Sequence, residues 1–469
     1  MFGALLAKYR ALDHNVRLTY LYTVFFWSCR SVILDQVLAG YIYVLTGSNE
    51  PVGMVTGING LMRILMTFPG GYASDHFRRD TVLKFAGALG LVCATLSLSA
   101  YISGHMTLVY VAYACWGGYF AVQRPATEAL FADSIPNGQR GGPMTTKYIL
   151  MNVASAMGPI ASIIFFYLYG DSWSLSGLQI VLCGGMIVGI PGLILLFFFN
   201  DDLAYENNKH VVKSTRTLSY VEDDGQLEMI QVDEASSSGS QKEASALLTK
   251  EVVEEDLETV NTFYCFGPRH IPIILFVTDF IMYNGGGMSI SFFPLFFQNE
   301  YGLTPAQVNI LFVIQPALIV VLTSITQHYS SRWGDIESVI VSRLFASVVL
   351  FSISFAQPLW LEIVLFLTRT AFMRCSAPIR ASILMDHVPK AWRGRWNALE
   401  GLTMFCYSGS AVAGGFLIER YGYRFCFYVT SLVFLSGLML ELLLLPIIRN
   451  ERKLKAQGKL KSTVTSSHV

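Results

Sequence analysis

The chain has 469 residues, of which 53% are hydrophobic and only 14% are charged, and its mean hydropathy is +0.47. Soluble proteins carry roughly a quarter charged residues, so this composition excludes an ordinary globular domain and indicates that most of the surface faces lipid. The formal net charge is zero, but residues 200–267 hold 15 acidic and 5 basic side chains, which leaves 28 basic and 18 acidic residues elsewhere.

Twelve apolar stretches follow one another along the chain, and each is long enough to cross a bilayer as a helix, which needs about 20 residues. We number them spans 1 to 12 and predict them at residues 19–46, 51–74, 82–103, 106–133, 143–169, 176–199, 270–297, 305–327, 337–356, 359–386, 395–418 and 425–448. They lack the two-residue alternation of a membrane strand. Since lipid admits only helices and closed barrels, the sequence predicts twelve helices.

A short pattern recurs at the ends of spans 4 and 10. Residues 125–141 read PATEALFADSIPNGQRG, residues 378–394 read PIRASILMDHVPKAWRG, and five positions match at an offset of 253 residues. Pro51 and Pro305, which open spans 2 and 8, are separated by nearly the same number, 254. An internal repeat of this length predicts two related six-helix halves, as in transporters built from parallel repeats.

These boundaries divide the chain into four segments. We predict an N-terminal bundle over residues 1–199, a linker over 200–267, a C-terminal bundle over 268–448 and a basic tail over 449–469. The linker is acidic and lacks apolar periodicity, which is typical of a flexible connection. Within it, the pattern of an acidic dileucine motif, which adaptor complexes of vesicle coats bind, is matched by Glu243, Leu247 and Leu248. A chance pair of leucines explains this short pattern equally well.

Lysine and arginine gather on one side of the predicted spans. The loops and termini on that side carry 19 of them, and the loops on the other side carry only Arg420 and Arg424. Basic loops mark the cytosolic side of a membrane protein, so we expect both termini and the linker in the cytosol. Together with the dileucine, this indicates an endosomal, lysosomal or vacuolar membrane, with the plasma membrane as the alternative.

Three stretches resemble signatures of the major facilitator superfamily. The first is GYASDHFRR over residues 71–79, which is similar to the family's G-x-x-x-D-R-x-G-R-R loop but has a histidine for the first arginine and no loop glycine. The second is ADSIP over residues 132–136, with its repeat, and the third is GGFLIERYGYRF over residues 414–425. The resemblance implies an all-α membrane protein with twelve transmembrane helices in two pseudo-symmetric six-helix bundles, which moves a solute by alternating access. The arginine usual in the family on span 4 falls at Tyr113.

The loop after span 2 predicts a conformational latch, whose members are Gly71, Asp75, Arg78, Arg79 and Arg393. The Asp75 carboxylate can approach the positive N-terminal end of span 11 only when the two halves close on the basic side. Such a latch would favour the outward-open state. The alternative is an aspartate that only caps its helix, beside arginines that only set the topology.

Charged side chains inside the spans are candidates for a binding site, because an ionised group at the bilayer centre costs at least about 2.5–3.5 kcal/mol and should face the interior. The resemblance implies that spans 1, 4, 7 and 10 line a central cavity. We predict that the solute binds Arg30, Arg374, Arg369, Asn284 and Arg124, and that protons are carried by Asp35, Asp279 or Glu128. Arginine offers a planar fork that fits carboxylate or phosphate, so its excess over acids indicates an anionic or zwitterionic solute.

A structural interpretation of the same charges is also open. Arg124 and Glu128 are spaced i,i+4 and can pair with each other. Asp35 and Asp279 can simply neutralise Arg30 and Arg369, and an arginine near the cytosolic end of span 10, Arg380, can extend towards the interface. Similarly, the three glycines at 285–287 in span 7 either let a neighbouring helix approach or let the span bend.

These features predict a secondary transporter for a small organic anion or zwitterion, coupled to protons. The first alternative is a proton-coupled exporter of drugs or lipophilic cations that uses Asp35, and the second is a transporter-like receptor or scaffold. The expected partners are a small-molecule substrate, the lipid bilayer, the proton and an adaptor complex. We expect no enzymatic activity, cofactor, metal or nucleic acid, because the sequence has no nucleotide-binding loop, no nucleophile motif beside a histidine and no metal-ligand spacing.

Overall fold

The protein is described by a computed structural model over residues 12–136, 141–205, 267, 270–387 and 393–456. The described residues form sixteen α-helices and two short 3₁₀ turns, with no β-strand among them. Seven helices make up the N-terminal bundle: α1 (His14–Ile33), α2 (Gln36–Thr46), α3 (Glu50–His76), α4 (Arg79–Ser103), α5 (Met106–Asp133), α6 (Gly141–Tyr169) and α7 (Leu175–Leu195). Nine make up the C-terminal bundle: α8 (Ile271–Ile290), α9 (Phe293–Tyr301), α10 (Pro305–Trp333), α11 (Asp335–Ile353), α12 (Leu359–Cys375), α13 (Ala377–His387), α14 (Arg393–Tyr421), α15 (Tyr423–Glu441) and α16 (Leu444–Ala456).

Spans 1, 7, 10 and 12 each consist of two consecutive helices, so the sixteen helices make twelve spans, six in each bundle. The predicted all-helical fold with twelve spans is therefore confirmed. Among the described residues, eight spans are long and apolar enough to cross a membrane by composition alone. The exceptions are spans 1, 2, 4 and 10, and three of these four carry charges predicted for the binding site.

The two bundles contact each other mainly through α3 with α14 and α6 with α10. On α3, Gly53, Gly57 and Gly60 face α14, and a Cβ atom added at Gly53 would lie 2.4 Å from the Ala411 carbonyl oxygen. Small residues at this spacing let two helices approach closely inside a membrane. These glycines lie in the part of α3 that is remote from the basic loops. We call that side of the protein the opposite end, and the side with the basic loops the basic end.

The glycines of span 7 also serve close helix packing. A Cβ atom at Gly287 would lie 1.9 Å from the Tyr407 carbonyl oxygen on α14, and one at Gly285 would lie 2.7 Å from the Phe434 ring on α15. Helix α8 continues through the glycines to Ile290. The structure therefore supports close approach, and the interruption of span 7 comes after the glycines, at residues 291–292.

Candidate functional site

Two oppositely charged side chains from different bundles face the same space in the middle of the protein. Asp35 lies at the break between α1 and α2, and Arg374 lies near the end of α12. Both are solvent-exposed although they lie in mid-span, and Asp35 interacts electrostatically with Arg30 and Arg374. Within the part of the chain that the structure describes, no ion pair involves any of these three residues. Among the described residues, their charges are therefore not neutralised by an ion pair.

The break in span 1 is stabilised by a buried tyrosine. Helix α1 ends at Ile33 and α2 begins two residues after Leu34, so the Ile33 carbonyl lies outside a continuous helical hydrogen-bond chain. The Tyr113 hydroxyl donates to this carbonyl and lies 2.8 Å from the Tyr101 hydroxyl. Both tyrosines are fully buried, so this bond satisfies a carbonyl that water cannot reach. Tyr113, where the resemblance places an arginine, thus helps to position Asp35.

Arg369 lies next to Arg374 but is buried. It is only 2% exposed, and among the described residues its Nε and Nη2 atoms have no hydrogen-bond partner. Its guanidinium carbon lies 5.6 Å from the ring centroids of both Phe293 and Phe434. A buried guanidinium without an acid is costly, and aromatic faces offset only part of that cost. An anion bound beside Arg369 would supply the missing acceptors.

Tyr407 on α14 connects these charged groups, and the charge count of the sequence could not find it because it is neutral. Its hydroxyl interacts electrostatically with Arg374, Asp35 and Arg369. We call Arg30, Asp35, Arg369, Arg374 and Tyr407 the central cluster. It combines residues of spans 1, 10 and 11, and hence of both bundles.

Arg30 and Asn284, which are equivalent in the internal repeat, have different surroundings. The Arg30 guanidinium lies 4.9 Å from the Trp27 ring centroid and faces a gap between α1, α5 and α7. The Asn284 side-chain amide donates to the Phe280 carbonyl of its own helix at 2.8 Å, and it lies beside Cys406. Arg30 thus interacts with Asp35 of the central cluster, whereas the Asn284 amide is bonded within its own helix.

Arg124 and Glu128 do not pair with each other, contrary to the structural alternative. Glu128 binds Lys147 of span 5 at 2.6 Å, and the Lys147 ammonium also lies 4.9 Å from the Phe131 ring centroid. Arg124 is exposed and forms no ion pair among the described residues. The i,i+4 spacing misses this arrangement, because a flexible lysine on a neighbouring helix reaches the carboxylate.

A second charged group lies nearer the basic end of the C-terminal bundle and joins four spans. Asp279 binds Arg343, at 3.4 Å, and Arg380. The Glu441 carboxylate lies 3.1 Å from Arg343 Nη1 and 3.4 Å from Arg380 Nε. Glu441 is inaccessible to solvent, and both arginines are buried. We call these four residues the buried tetrad.

The buried tetrad corrects three sequence-based interpretations. Asp279 neutralises Arg343 and Arg380, and not the arginines of the central cluster. Arg380 does not extend towards the interface, since its guanidinium is held by acids and by the Leu275 carbonyl. Arg343, one of the 19 basic residues that the sequence places at the basic end, is the ninth residue of α11 and faces inward.

The basic loop after span 2 pairs with the end of span 4, with the start of span 3 and with the start of the linker. Arg79 binds Asp133 at the end of α5, and Arg78 lies 2.8 Å from Asp202 and 3.2 Å from Asp80. These hydrogen bonds, to Asp202 first and then to Asp80, raise the pKa of the Arg78 guanidinium. Gly71 lies in α3, and a Cβ atom added there would meet no atom of the described residues within 4 Å, so none of these residues requires a glycine there.

Several predicted residues lie outside what the structure describes. The side chains of Asp75 and Arg393 belong to this group, although both positions lie in helices, so the latch stays a prediction. Residues 206–266 also lie outside the described residues. The linker and the dileucine of Glu243, Leu247 and Leu248 therefore stay predictions as well.

Comparisons with known proteins place this geometry in context. The chain is 26% identical over 157 residues to a Na(+), Li(+), K(+)/H(+) antiporter of Planococcus maritimus, and 24% identical over 187 residues to the uncharacterized MFS-type transporter YqjV of Bacillus subtilis (strain 168). The matches cover 33% and 40% of this chain, and the chain spans only 35% and 43% of the length of these two relatives.

Solved structures and a family profile match much more of the chain. A bacterial homologue of the iron transporter ferroportin in an inward-facing state has a TM-score of 0.64 at 13% identity and covers 91% of this chain and 98% of its own. A bacterial homologue of the human lysosomal transporter Spinster, inward-facing and unoccupied, has a TM-score of 0.63 at 13% identity and covers 94% and 98%. At such identities these likenesses show the fold alone. The family profile matches residues 18–256 and 275–467, and the chain therefore belongs to the Major Facilitator Superfamily of membrane transporters.

Proposed function

We propose that this protein is a secondary active transporter that moves a small organic anion or zwitterion across a membrane by alternating access. The charge of the central cluster carries this proposal, because three arginines and one aspartate leave two positive charges in excess. Arginine binds carboxylate or phosphate through a planar fork of donors. An anion between the bundles would offset the excess positive charge and bind residues of both bundles. Rocking of one bundle against the other would then move the bound anion across the membrane.

We propose Asp35 as the residue that couples transport to protons. Asp279 already binds two arginines, and Glu128 already binds Lys147 at 2.6 Å, so protonation of either would break an existing ion pair. Asp35 has no ion pair among the described residues and would lose none. Arg30 and Arg374 interact with it electrostatically, so an anion bound to them would favour a proton on Asp35.

A thermal-shift screen of the purified protein tests the proposed solute class. Carboxylates, phosphates, amino acids, sugars and lipophilic cations are added at several pH values, and the unfolding temperature is measured. A ligand that binds only the folded protein stabilises it by about 2.7 kcal/mol at 100 times its Kd. We expect stabilisation by an anion or zwitterion, followed by its proton-dependent uptake into liposomes. Stabilisation by cations alone would overturn the proposal.

A proton-coupled exchange of cations is the second candidate function. It is favoured by the exposed carboxylate of Asp35 and by the relative named as a cation/H(+) antiporter. The excess of arginine opposes it, because a cation would enter a site of net positive charge. We expect Asp35→Asn to abolish any stabilisation by cations, whereas a bound anion would keep its arginine ligands. If Asp35→Asn lost anion binding but kept stabilisation by cations, this result would contradict both the anion site on the arginines and the cation site on Asp35.

We propose that the basic end faces the cytosol and that the dileucine directs the protein to an endosomal, lysosomal or vacuolar membrane. Replacement of Leu247 and Leu248 by alanine is then expected to move most of the protein to the cell surface, because adaptors require both leucines. Fluorescence microscopy of a tagged chain measures the distribution. Replacement of Leu227, a single leucine elsewhere in the linker, is the matched control. An unchanged distribution in the double variant would identify the motif as a chance pair.

A further inference from the structure

Two carboxylates join the bundles at the opposite end, each in contact with the start of a helix from the other bundle. The Asp171 carboxylate, in the loop between α6 and α7, accepts a hydrogen bond of 2.9 Å from the Ala306 amide in the first turn of α10. The Glu419 carboxylate, near the end of α14, accepts a hydrogen bond of 2.8 Å from the backbone amide of Asn49, immediately before α3. Helix N-termini carry unsatisfied amides and a partial positive charge, so both contacts are favourable.

An aromatic donor accompanies each carboxylate. The Trp173 indole donates to the Leu303 carbonyl at 2.8 Å, just before α10. The Tyr423 hydroxyl donates to the Asn49 side-chain oxygen at 2.7 Å, just before α3. Each bundle thus offers a carboxylate and an aromatic donor to the start of the other bundle's second span.

The two contacts are related by the internal repeat. Asp171 and Trp173 follow span 5, and Glu419 and Tyr423 lie where span 11 ends. Span 11 is the equivalent of span 5 in the second half. The helices that they meet, α3 and α10, are spans 2 and 8 and begin at the equivalent prolines Pro51 and Pro305. Each contact crosses between the bundles, so neither serves the stability of a single bundle.

We propose that Asp171 and Glu419 form a gate that holds the transporter closed at the opposite end. The bonds require that the bundles meet there, so opening of that end breaks both carboxylate contacts and both aromatic contacts. We expect the gate to be formed when the predicted Asp75 latch at the basic end is broken, and to be broken when that latch is formed. This inference concerns the equilibrium between the two open states and requires no particular solute, so it stands or falls separately from the proposed solute.

Distance measurement between spin labels tests the gate on the full chain in lipid nanodiscs. Labels are placed at the opposite end on cysteines that replace Ser103 and Gln357, one in each bundle, after reactive native cysteines are replaced by serine. Without added solute, Asp171→Ala and Glu419→Ala are each expected to raise the ratio of long to short distances roughly two- to five-fold, as contacts of a charge with a helix N-terminus suggest. The double variant should give roughly the product, about four- to 25-fold, since the two contacts are separate.

Milder variants and a control keep the result interpretable. Asp171→Asn and Glu419→Gln keep an acceptor oxygen but lose the charge, so they should shift the ratio less than alanine does. Tyr423→Phe removes the hydroxyl that bonds Asn49 and Asn299, and Trp173→Phe removes the indole donor together with part of the ring that packs against Gly40. Together they should shift the ratio in the same direction. Glu300→Gln is the matched control, because Glu300 lies at the same end but pairs with Arg424 of its own bundle at 3.7 Å. Unchanged distances in the folded double variants would overturn the gate.

Discussion

Arg374→Ala is expected to weaken strongly the binding of every anion that stabilises the wild-type protein. Arg374 is exposed in mid-span, forms no ion pair among the described residues and interacts electrostatically with Asp35. Hydrogen bonds to charged groups contribute about 1.5–3 kcal/mol each, so loss of a bidentate contact should weaken affinity roughly 100-fold or more. A ligand at 100 times the wild-type Kd would then stabilise the variant by only about 0.4 kcal/mol, instead of about 2.7 kcal/mol.

Thermal shift and liposome uptake measure this effect, and two variants serve as controls. Arg374→Lys keeps the charge but loses the fork, so it should retain weak binding. Arg420→Ala removes an exposed arginine outside the cavity and should bind like the wild type. Arg30→Ala is expected to resemble Arg374→Ala, because Arg30 interacts with the same aspartate. Unimpaired uptake in both Arg30→Ala and Arg374→Ala would contradict an anion site in the central cluster.

The sequence was sufficient for the fold because membrane helices need long apolar stretches and the repeat fixes their grouping. It did not reveal that spans 1, 7, 10 and 12 are each interrupted. Hydropathy averages over about twenty residues and has no signal for a break of two, such as the one at Leu34 and Asp35. At that break, the Ile33 carbonyl accepts a hydrogen bond from the Tyr113 hydroxyl, which comes from another span. Interactions of this kind are tertiary and are not encoded in local periodicity.

The candidate site was predictable where charge alone carries the information. Arg30, Asp35, Arg369 and Arg374 are ionisable residues in apolar spans, so the cost of burial singles them out. Their neutral neighbour Tyr407 has no such signal. The pairing of the other charges also could not be predicted, since it depends on which helices are adjacent. Asp171 and Glu419 lie at span ends, where acidic residues are ordinary, and only the contact between bundles distinguishes them.

Glu441→Ala is expected to have the largest effect on stability. Glu441 is inaccessible to solvent and binds Arg343 at 3.1 Å and Arg380 at 3.4 Å. Its loss leaves two buried arginines with one acid, Asp279, and removal of one partner from a buried ion pair costs about 3–5 kcal/mol. We therefore expect a much lower unfolding temperature in detergent and less protein in the membrane fraction. Asp202→Ala is the control, because its bond to Arg78 is exposed and such pairs contribute about 1 kcal/mol or less.

A compensating variant separates the charge imbalance from the loss of packing. In Arg343→Met combined with Glu441→Leu, one positive and one negative charge are removed together, and Arg380 keeps its ion pair with Asp279. Replacement of a buried ion pair by apolar residues of similar volume is often neutral, so this double variant should recover most of the unfolding temperature. Recovery would identify the tetrad as a neutral structural unit and leave the central cluster as the place where uncompensated charge is available to a solute. If Glu441→Ala alone were as stable as the wild type, the tetrad would have no structural role, and its charges would become a second candidate for ion coupling.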